Sequence, residues 1–310
     1  MINDAHCHFF SPSFFEALAK QRAAMLQTSP ADPEALYREL QWDAPGTAEL
    51  LADRWVAEMD THGVHRAALI ASVPGDETSV AAALARHPSR IVGFFMIDPG
   101  GADAPARARR ALTELGLRAV CLFPAMHRVP LDDERTLAIV ETASACPGAA
   151  VFVHCGRLSV GVREKLGLPS QFDLRLGDPL AVSRLANAFP AVSFIVPHFG
   201  AGQLQDALAA AAASPNLHLD TSSSNSWIRH TPGLTLAGVF SAAIAAAGAS
   251  KLLFGTDSSF FPRGWQKGVY EQQALALEEA GVSVEDQALI FGRNFERLFP
   301  ARGSLTAGHA

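Results

Sequence analysis

Asp4-Ala5-His6-Cys7-His8 closes an apparent β-strand that begins at Ile2. Side chains alternate between the two faces of an extended chain, so His6 and His8 are expected to point together and Cys7 away from them. Two imidazoles on one face suit a single metal ion, although ordinary polar residues at a strand end read the same way. What surrounds them has to come from the rest of the chain.

Seven further short apolar or β-branched segments occur: Ala67–Ala71, Ile91–Ile97, Ala119–Phe123, Ala150–Cys155, Val192–Pro197, Asn216–Thr221 and Leu252–Thr256. Several are near-continuous apolar runs, as expected of strands buried on both faces of a parallel sheet. Helical periodicity fills the spaces between strands, over Thr47–His62, Thr78–His87, Asp103–Leu115, Asp132–Ala145, Pro179–Ala188, Gly202–Ala213, Leu234–Ala247 and Gly268–Ala280. Eight strand-helix units predict an α/β fold, a (β/α)8 TIM barrel rather than an open sheet. The connection Phe9–Gly46 is far longer than the roughly 2–6 residues of an ordinary βα loop. With Phe14, Phe15, Leu36, Tyr37 and Trp42 it predicts a partly helical flap over the barrel mouth. Residues 1–300 therefore read as one barrel domain with 9–46 as the flap, a last helix near Val284–Phe299 docked on the wall, and 301–310 as a frayed, flexible tail.

The 310 residues are 49% hydrophobic, enough for a large core. Acidic residues outnumber basic ones, 31 to 25, for a formal charge of −6. No run of Lys or Arg makes the basic stripe that nucleic-acid binding requires, so no nucleic-acid partner is expected. The most apolar stretches, such as Ala237–Ala249, are too short and too interrupted to span a bilayer. No export signal is visible after Met1, so the cytoplasm is the expected compartment. Cys7, Cys121, Cys146 and Cys155 lack any CxxC pairing and read as free thiols.

Barrel enzymes build their sites at the C-terminal ends of the strands. Three more candidates stand there: His154 in Phe152-Val153-His154-Cys155-Gly156, His198 in Val196-Pro197-His198-Phe199-Gly200, and Asp257 in Phe254-Gly255-Thr256-Asp257. Any one of them is compatible with a hydrogen-bonded structural role. Four strand ends converging on one axis are poorly explained as independent accidents.

At these positions the sequence resembles the amidohydrolase superfamily, and within it the branch that holds aminocarboxymuconate-semialdehyde decarboxylase, resorcylate-type decarboxylases and further metal-dependent hydrolases. The likeness runs from Ile2 to Phe299 and includes the ending Gly292-Arg293-Asn294-Phe295-Glu296-Arg297-Leu298-Phe299. It implies that His6, His8, His154 and Asp257 hold a divalent metal and that His198 is the catalytic histidine beside it. Binuclear members add a Lys or Glu after the fourth strand. Here Val120-Cys121-Leu122-Phe123-Pro124 supplies neither, so a mononuclear site is implied, with Cys121 reading as a core thiol rather than a bridging ligand. Three imidazoles and a carboxylate suit Zn²⁺, and similar ligands accept Mn²⁺ or Fe²⁺.

A bound divalent ion lowers the pKa of its water from about 15.7 to near 7. His198 is then expected to orient that water or steady oxyanion charge, and Asp257 to carry a proton. This implies a metal-dependent hydrolase acting on an amide, lactone or similar carbonyl substrate. The alternative on the same ligands is non-oxidative decarboxylation of an aromatic or unsaturated carboxylic acid; a non-catalytic ligand-binding barrel is the third reading. Arg157, Trp227 and Arg263, with Arg229 and Trp265, are placed to read a small-molecule substrate, an Arg clamping a carboxylate in two-pronged fashion. Each is equally compatible with a solvated loop charge or a capping aromatic, and His127 is a further candidate. Asp4 is expected on the face of His6, where it either supports that ligand or starts the strand. The resemblance also allows a homodimer in which an Arg of a second chain reaches the site.

Overall fold

The eight apolar runs pair in sequence order. In the computed structural model, which describes residues 1–28 and 31–301, the strands are β1 Ile2–Phe9, β2 Val64–Ala71, β3 Ile91–Met96, β4 Ala119–Leu122, β5 Ala150–Val153, β6 Ser193–Val196, β7 Leu217–Asp220 and β8 Leu252–Leu253. Each is parallel to the next in a single sheet ordered β1 to β8. The seam between β8 and β1 is closed by Ala5 N donating to Phe254 O (2.8 Å), Asp257 N to His6 O (2.9 Å) and His8 N to Ser258 O (2.7 Å). The result is a (β/α)8 barrel with both edges of the sheet used up.

The helices on its outside span Ala48–His62, Glu77–Arg86, Ala104–Thr113, Glu134–Ser144, Pro179–Ala188, Leu204–Ala213, Leu236–Ala247 and Lys267–Glu279, so only the ends of the predicted ones are displaced. Their starts are written locally: Thr47, Asp133, Asp178 and Thr235 each accept a first-turn backbone N–H through the side chain, satisfying donors the helix itself leaves unpaired. Alternation along the strands divides the core into two shells. On β5, Val151 and Val153 pack outward under the helices, whereas Ala150 and Phe152 pack inside the barrel with Phe94 and Ile195. This is why the strands read as apolar runs rather than as alternating patterns.

Three details depart from expectation. The register of β1 against β2 shifts between Asp4 and Cys7, a bulge that turns both Ala5 and His6 inward. Ala5 joins the inner shell, and the His6 ring lies 5.1 Å from that of Phe152. Asp4 therefore does not share the face of His6. It points outward, accepting from Thr256 Oγ1 (2.6 Å) and Trp265 Nε1 (2.8 Å). Second, β8 is shorter than Leu252–Thr256, because Thr256 N donates to the Asp4 carboxylate (3.2 Å) in place of a ladder bond. Third, the closing helix is broken into Val284–Ala288, a π-turn at Leu289–Arg293 and Asn294–Leu298. The wide turn lays Gly292 against the chain start, where a Cβ would fall 2.7 Å from Met1 O.

Helices Pro12–Leu26 and Pro33–Leu40 fill the long connection after β1. Phe14, Phe15, Leu36 and Trp42 from this segment bury against Val162 and Leu166 of the segment after β5. Among the described residues all four cysteines are free and no helix is long and apolar enough to cross a membrane. Of the tail expected at 301–310, residues 302–310 lie outside the described residues.

Candidate metal centre

The strand ends deliver their side chains to one place. His6 Nε2 and His8 Nε2 converge on Asp257 Oδ1 at 3.6 and 3.1 Å, and the three donor atoms lie within 4.8 Å of one another. His198 stacks on His6 with ring centroids 4.9 Å apart, and His154 meets His198 edge-on at 5.1 Å. His154 thus stands next to the tight trio rather than inside it. Its Nδ1 is buried with no hydrogen-bond partner, a state that costs free energy unless something binds there.

Hydrogen-bond partners fix the tautomers of the two β1 histidines. Asp220 Oδ2, 2.7 Å from His6 Nδ1, can only accept, so that nitrogen carries the proton. Ser72 Oγ donates to Ile70 O (2.9 Å) and must accept from His8 Nδ1 (2.8 Å). Both Nε2 lone pairs are thereby left facing Asp257, as metal ligation requires.

The backbone is strained where the site is built. Asp257, His198 and Ser223 adopt left-handed φ values of 60°, 59° and 52°, a conformation costing a non-glycine residue of order 1–3 kcal/mol. Local bonds offset that cost: Ser223 Oγ donates to Asp257 Oδ2 (2.6 Å), and Ala201 N to His198 O (2.8 Å).

Electrostatics point the same way. Burial works to keep His6 neutral, but the Asp220 carboxylate in contact, with Asp257 and Asp4 beyond, outweighs it and pushes the imidazole up to about 9. Burial would raise Asp220, yet His6 beside it holds its carboxyl below the usual range. Asp257 is likewise opposed by burial and held well below the carboxylate range by His8 and His6. His154 and His198 are pushed down, first by burial and then by the neighbouring imidazoles. Around Nε2 of His6 the field calls for positive charge, from a proton or a cation. Three imidazoles that can present lone pairs, one anionic oxygen and an orphaned ring nitrogen fit a borderline divalent ion.

Asp220 and Ser222 contact the ring nitrogens of His6 and His198, and the sequence reading does not single them out. Asp220 stands at the end of a predicted strand, as His154 and His198 do, so the strand-end rule already points to it; nothing in the sequence marks Ser222 or Ser72. Gly255 lets this layer close, for a Cβ there would lie 3.0 Å from both Asp220 Oδ1 and His6 Cβ and 3.1 Å from Ser222 Cβ. Gly255→Ala is therefore expected to destabilise the fold by about 1–3 kcal/mol through overpacking, read as a lowered denaturant midpoint. An unchanged midpoint would show that the layer yields freely.

His8 and Asp257 are 20% and 30% exposed while His6 and Asp220 are sealed, so approach is from the β1–β8 side of the mouth. There a cavity of about 500 Å³ is walled by Phe10, Phe14, Trp42 and Phe260, with Trp42 stacked on Phe260 at 3.9 Å. Arg263 lies 4.4 Å over Phe260 and Lys165 5.6 Å over Trp42. A second lobe of about 450 Å³ shares His154, His198 and Asp257 and adds Arg157, Trp227 and Arg229. Among the residues lining either lobe, Asp257 is the one carboxylate facing four Lys and Arg side chains. Trp265 does not reach the cavity, because its Nε1 is tied to Asp4. His127 ends the short helix Pro124–His127, with a buried, unpartnered Nδ1 and no place in the cavity lining.

A family model described as Amidohydrolase matches residues 3–301. No curated protein matches by sequence. Among solved structures, a 5-carboxyvanillate decarboxylase from Sphingomonas paucimobilis is similar at a TM-score of 0.64 and 16% identity, over 96% of this chain and 98% of that one. A manganese-bound 5-carboxyvanillate decarboxylase from Novosphingobium aromaticivorans gives 0.65 and 13%, over 96% and 97%. A probable 2-pyrone-4,6-dicarboxylic acid hydrolase from Acinetobacter baumannii gives 0.61 and 14%, over 96% and 98%. At these identities the likeness is one of fold.

Proposed function

The chain belongs to the amidohydrolase family, and from that premise we propose that it is a mononuclear metal-dependent hydrolase of a small anionic amide, lactone or similar carbonyl substrate. The observation that carries the reading is the convergence of His6 Nε2 and His8 Nε2 on Asp257 Oδ1, with His154 and His198 alongside. In it His6, His8, His154 and Asp257 hold the ion, Zn²⁺ first and Mn²⁺ or Fe²⁺ as substitutes. A divalent ion so placed would acidify a water and polarise a carbonyl oxygen.

The protein's own groups do the rest. His198, kept neutral by burial, takes a proton from the attacking water or steadies the developing oxyanion. Asp257, anchored through Oδ2 by Ser223, carries a proton from nucleophile to leaving group. Arg157, Trp227 and Arg263 hold the substrate's acidic or planar part, which fits a cavity with four cations and one carboxylate. Residues 1–300 form one catalytic unit roofed by 9–46, working in the cytoplasm, and a homodimer is compatible with it.

A second reading, non-oxidative decarboxylation of an aromatic or unsaturated acid, is favoured by one feature: the stacked wall of Phe10, Phe14, Trp42 and Phe260 flanked by Arg263 and Lys165. The two separate in a screen that pairs amides and lactones with hydroxybenzoates and muconate-like acids while carbon dioxide is monitored. His198→Ala tests the site in either case. It is expected to lower kcat by about 10²–10⁴-fold while metal content, measured by elemental analysis, holds. Loss of the metal as well would make His198 a ligand.

A further inference from the structure

Below the ligand layer, three acceptors surround two ring nitrogens. His198 Nδ1 lies 3.1 Å from the Ser222 carbonyl oxygen and 2.8 Å from Ser222 Oγ. The same hydroxyl is 3.0 Å from His6 Nδ1, which Asp220 Oδ2 already engages at 2.7 Å. Ser222 N donates to the other Asp220 oxygen at 2.6 Å, so the serine is fixed at both its backbone and its side chain. All four residues are buried.

We propose that Ser222 is a positioning residue whose hydroxyl oxygen bridges Nδ1 of His6 and Nδ1 of His198, setting the two rings as one unit with both Nε2 atoms turned to the cavity. A carbonyl can only accept, so its contact with His198 requires the proton on Nδ1. Asp220 makes the same demand of His6. The hydroxyl oxygen accepts the His198 Nδ1–H at 2.8 Å and shares at 3.0 Å in the His6 Nδ1–H whose main acceptor is Asp220, a three-centre contact, and it stands between rings stacked at 29°. The consequence for the reaction is directional: His198 begins the cycle as a proton acceptor at Nε2. A ring held only by the carbonyl at 3.1 Å would be freer to flip or to exchange its proton between nitrogens.

This inference rests on the proposed role of His198, and its test is chosen to stand apart from turnover. In nitrogen NMR of the zinc-loaded, histidine-labelled full chain, His198 is expected as the Nδ1–H tautomer. Ser222→Ala, which removes one oxygen and keeps the Cβ packing, is expected to retain zinc and the His6 signal, because Asp220 remains. Its His198 signal moves to a mixture of tautomers, and kcat with the substrate from the screen falls about 10–100-fold at nearly constant KM. Three results would overturn the proposal: an Nε2–H tautomer for His198 in the unmodified protein, a Ser222→Ala spectrum and kcat indistinguishable from it, or loss of zinc in the variant. If no substrate turns over, the comparison of the unmodified and Ser222→Ala spectra still decides the bridge, whereas failure of the functional reading leaves both spectra untouched.

Discussion

Asp257→Asn is expected to lose about 10³-fold or more of turnover and to leave the protein well short of one metal ion per chain. The substitution is chosen for its backbone. At φ 60° Asp257 occupies a region that asparagine tolerates as well as aspartate, so strain is unchanged and Ser223 can still donate to a side-chain oxygen. What disappears is the negative charge toward which His6 Nε2 and His8 Nε2 are aimed. Elemental analysis beside a melting curve separates loss of the site from loss of the fold. Full metal content with ordinary turnover would remove Asp257 from the centre.

The second large effect belongs to a residue that never faces the cavity. Asp220 accepts from His6 Nδ1 through one oxygen and from Ser222 N through the other. In Asp220→Asn one of these two donors meets an amide NH₂ instead of an oxygen, whichever way the group is turned. A Ser222 N–H left facing the NH₂ is stranded at a cost of about 1–3 kcal/mol, and a His6 Nδ1–H so placed costs less, because it keeps Ser222 Oγ at 3.0 Å. His6 also loses the partner that holds its tautomer, for which about 10–100-fold in metal affinity is the expected scale. Competition with a chelator measures the second effect and denaturant unfolding the first. The His6 imidazole should also fall from about 9, since burial is then opposed by Asp257 and Asp4 alone. Metal affinity equal to that of the unmodified protein would show that His6 is oriented by packing rather than by this carboxylate.

The architecture is legible because barrel strands buried on both faces announce themselves as apolar runs, and Ala150–Val153 and Ile91–Met96 are unambiguous in that respect. His154, His198 and Asp257 stand at or just past the ends of such runs, where barrel chemistry is concentrated. The same rule applied to Leu217–Asp220 reaches Asp220, which closes that strand. The face of Asp4 is misread for a physical reason: alternation assumes an unbroken pleat, and a bulge leaves no composition signal when the residues involved are Ala and His. Ser72 and Ser222 are illegible, since a serine matters here only through which nitrogen its oxygen meets. The aromatic wall lies halfway, with Phe14 and Trp42 assigned to a flap but their partner Phe260 supplied by the far end of the chain.

The seam between β8 and β1 has a consequence for how the molecule comes into being. Thr256 and Asp4, which bond across it, are 252 residues apart in sequence. A chain made from its N-terminus exposes His6 and His8 before it supplies Asp257, so until that point the two imidazoles lack the carboxylate they face. Contacts of such separation form late, because the long loop between them must be closed before they contribute anything. The centre is thus expected to form only on ring closure, and the order in which the Ala5, His8 and Asp257 amides gain protection from exchange during folding would test it.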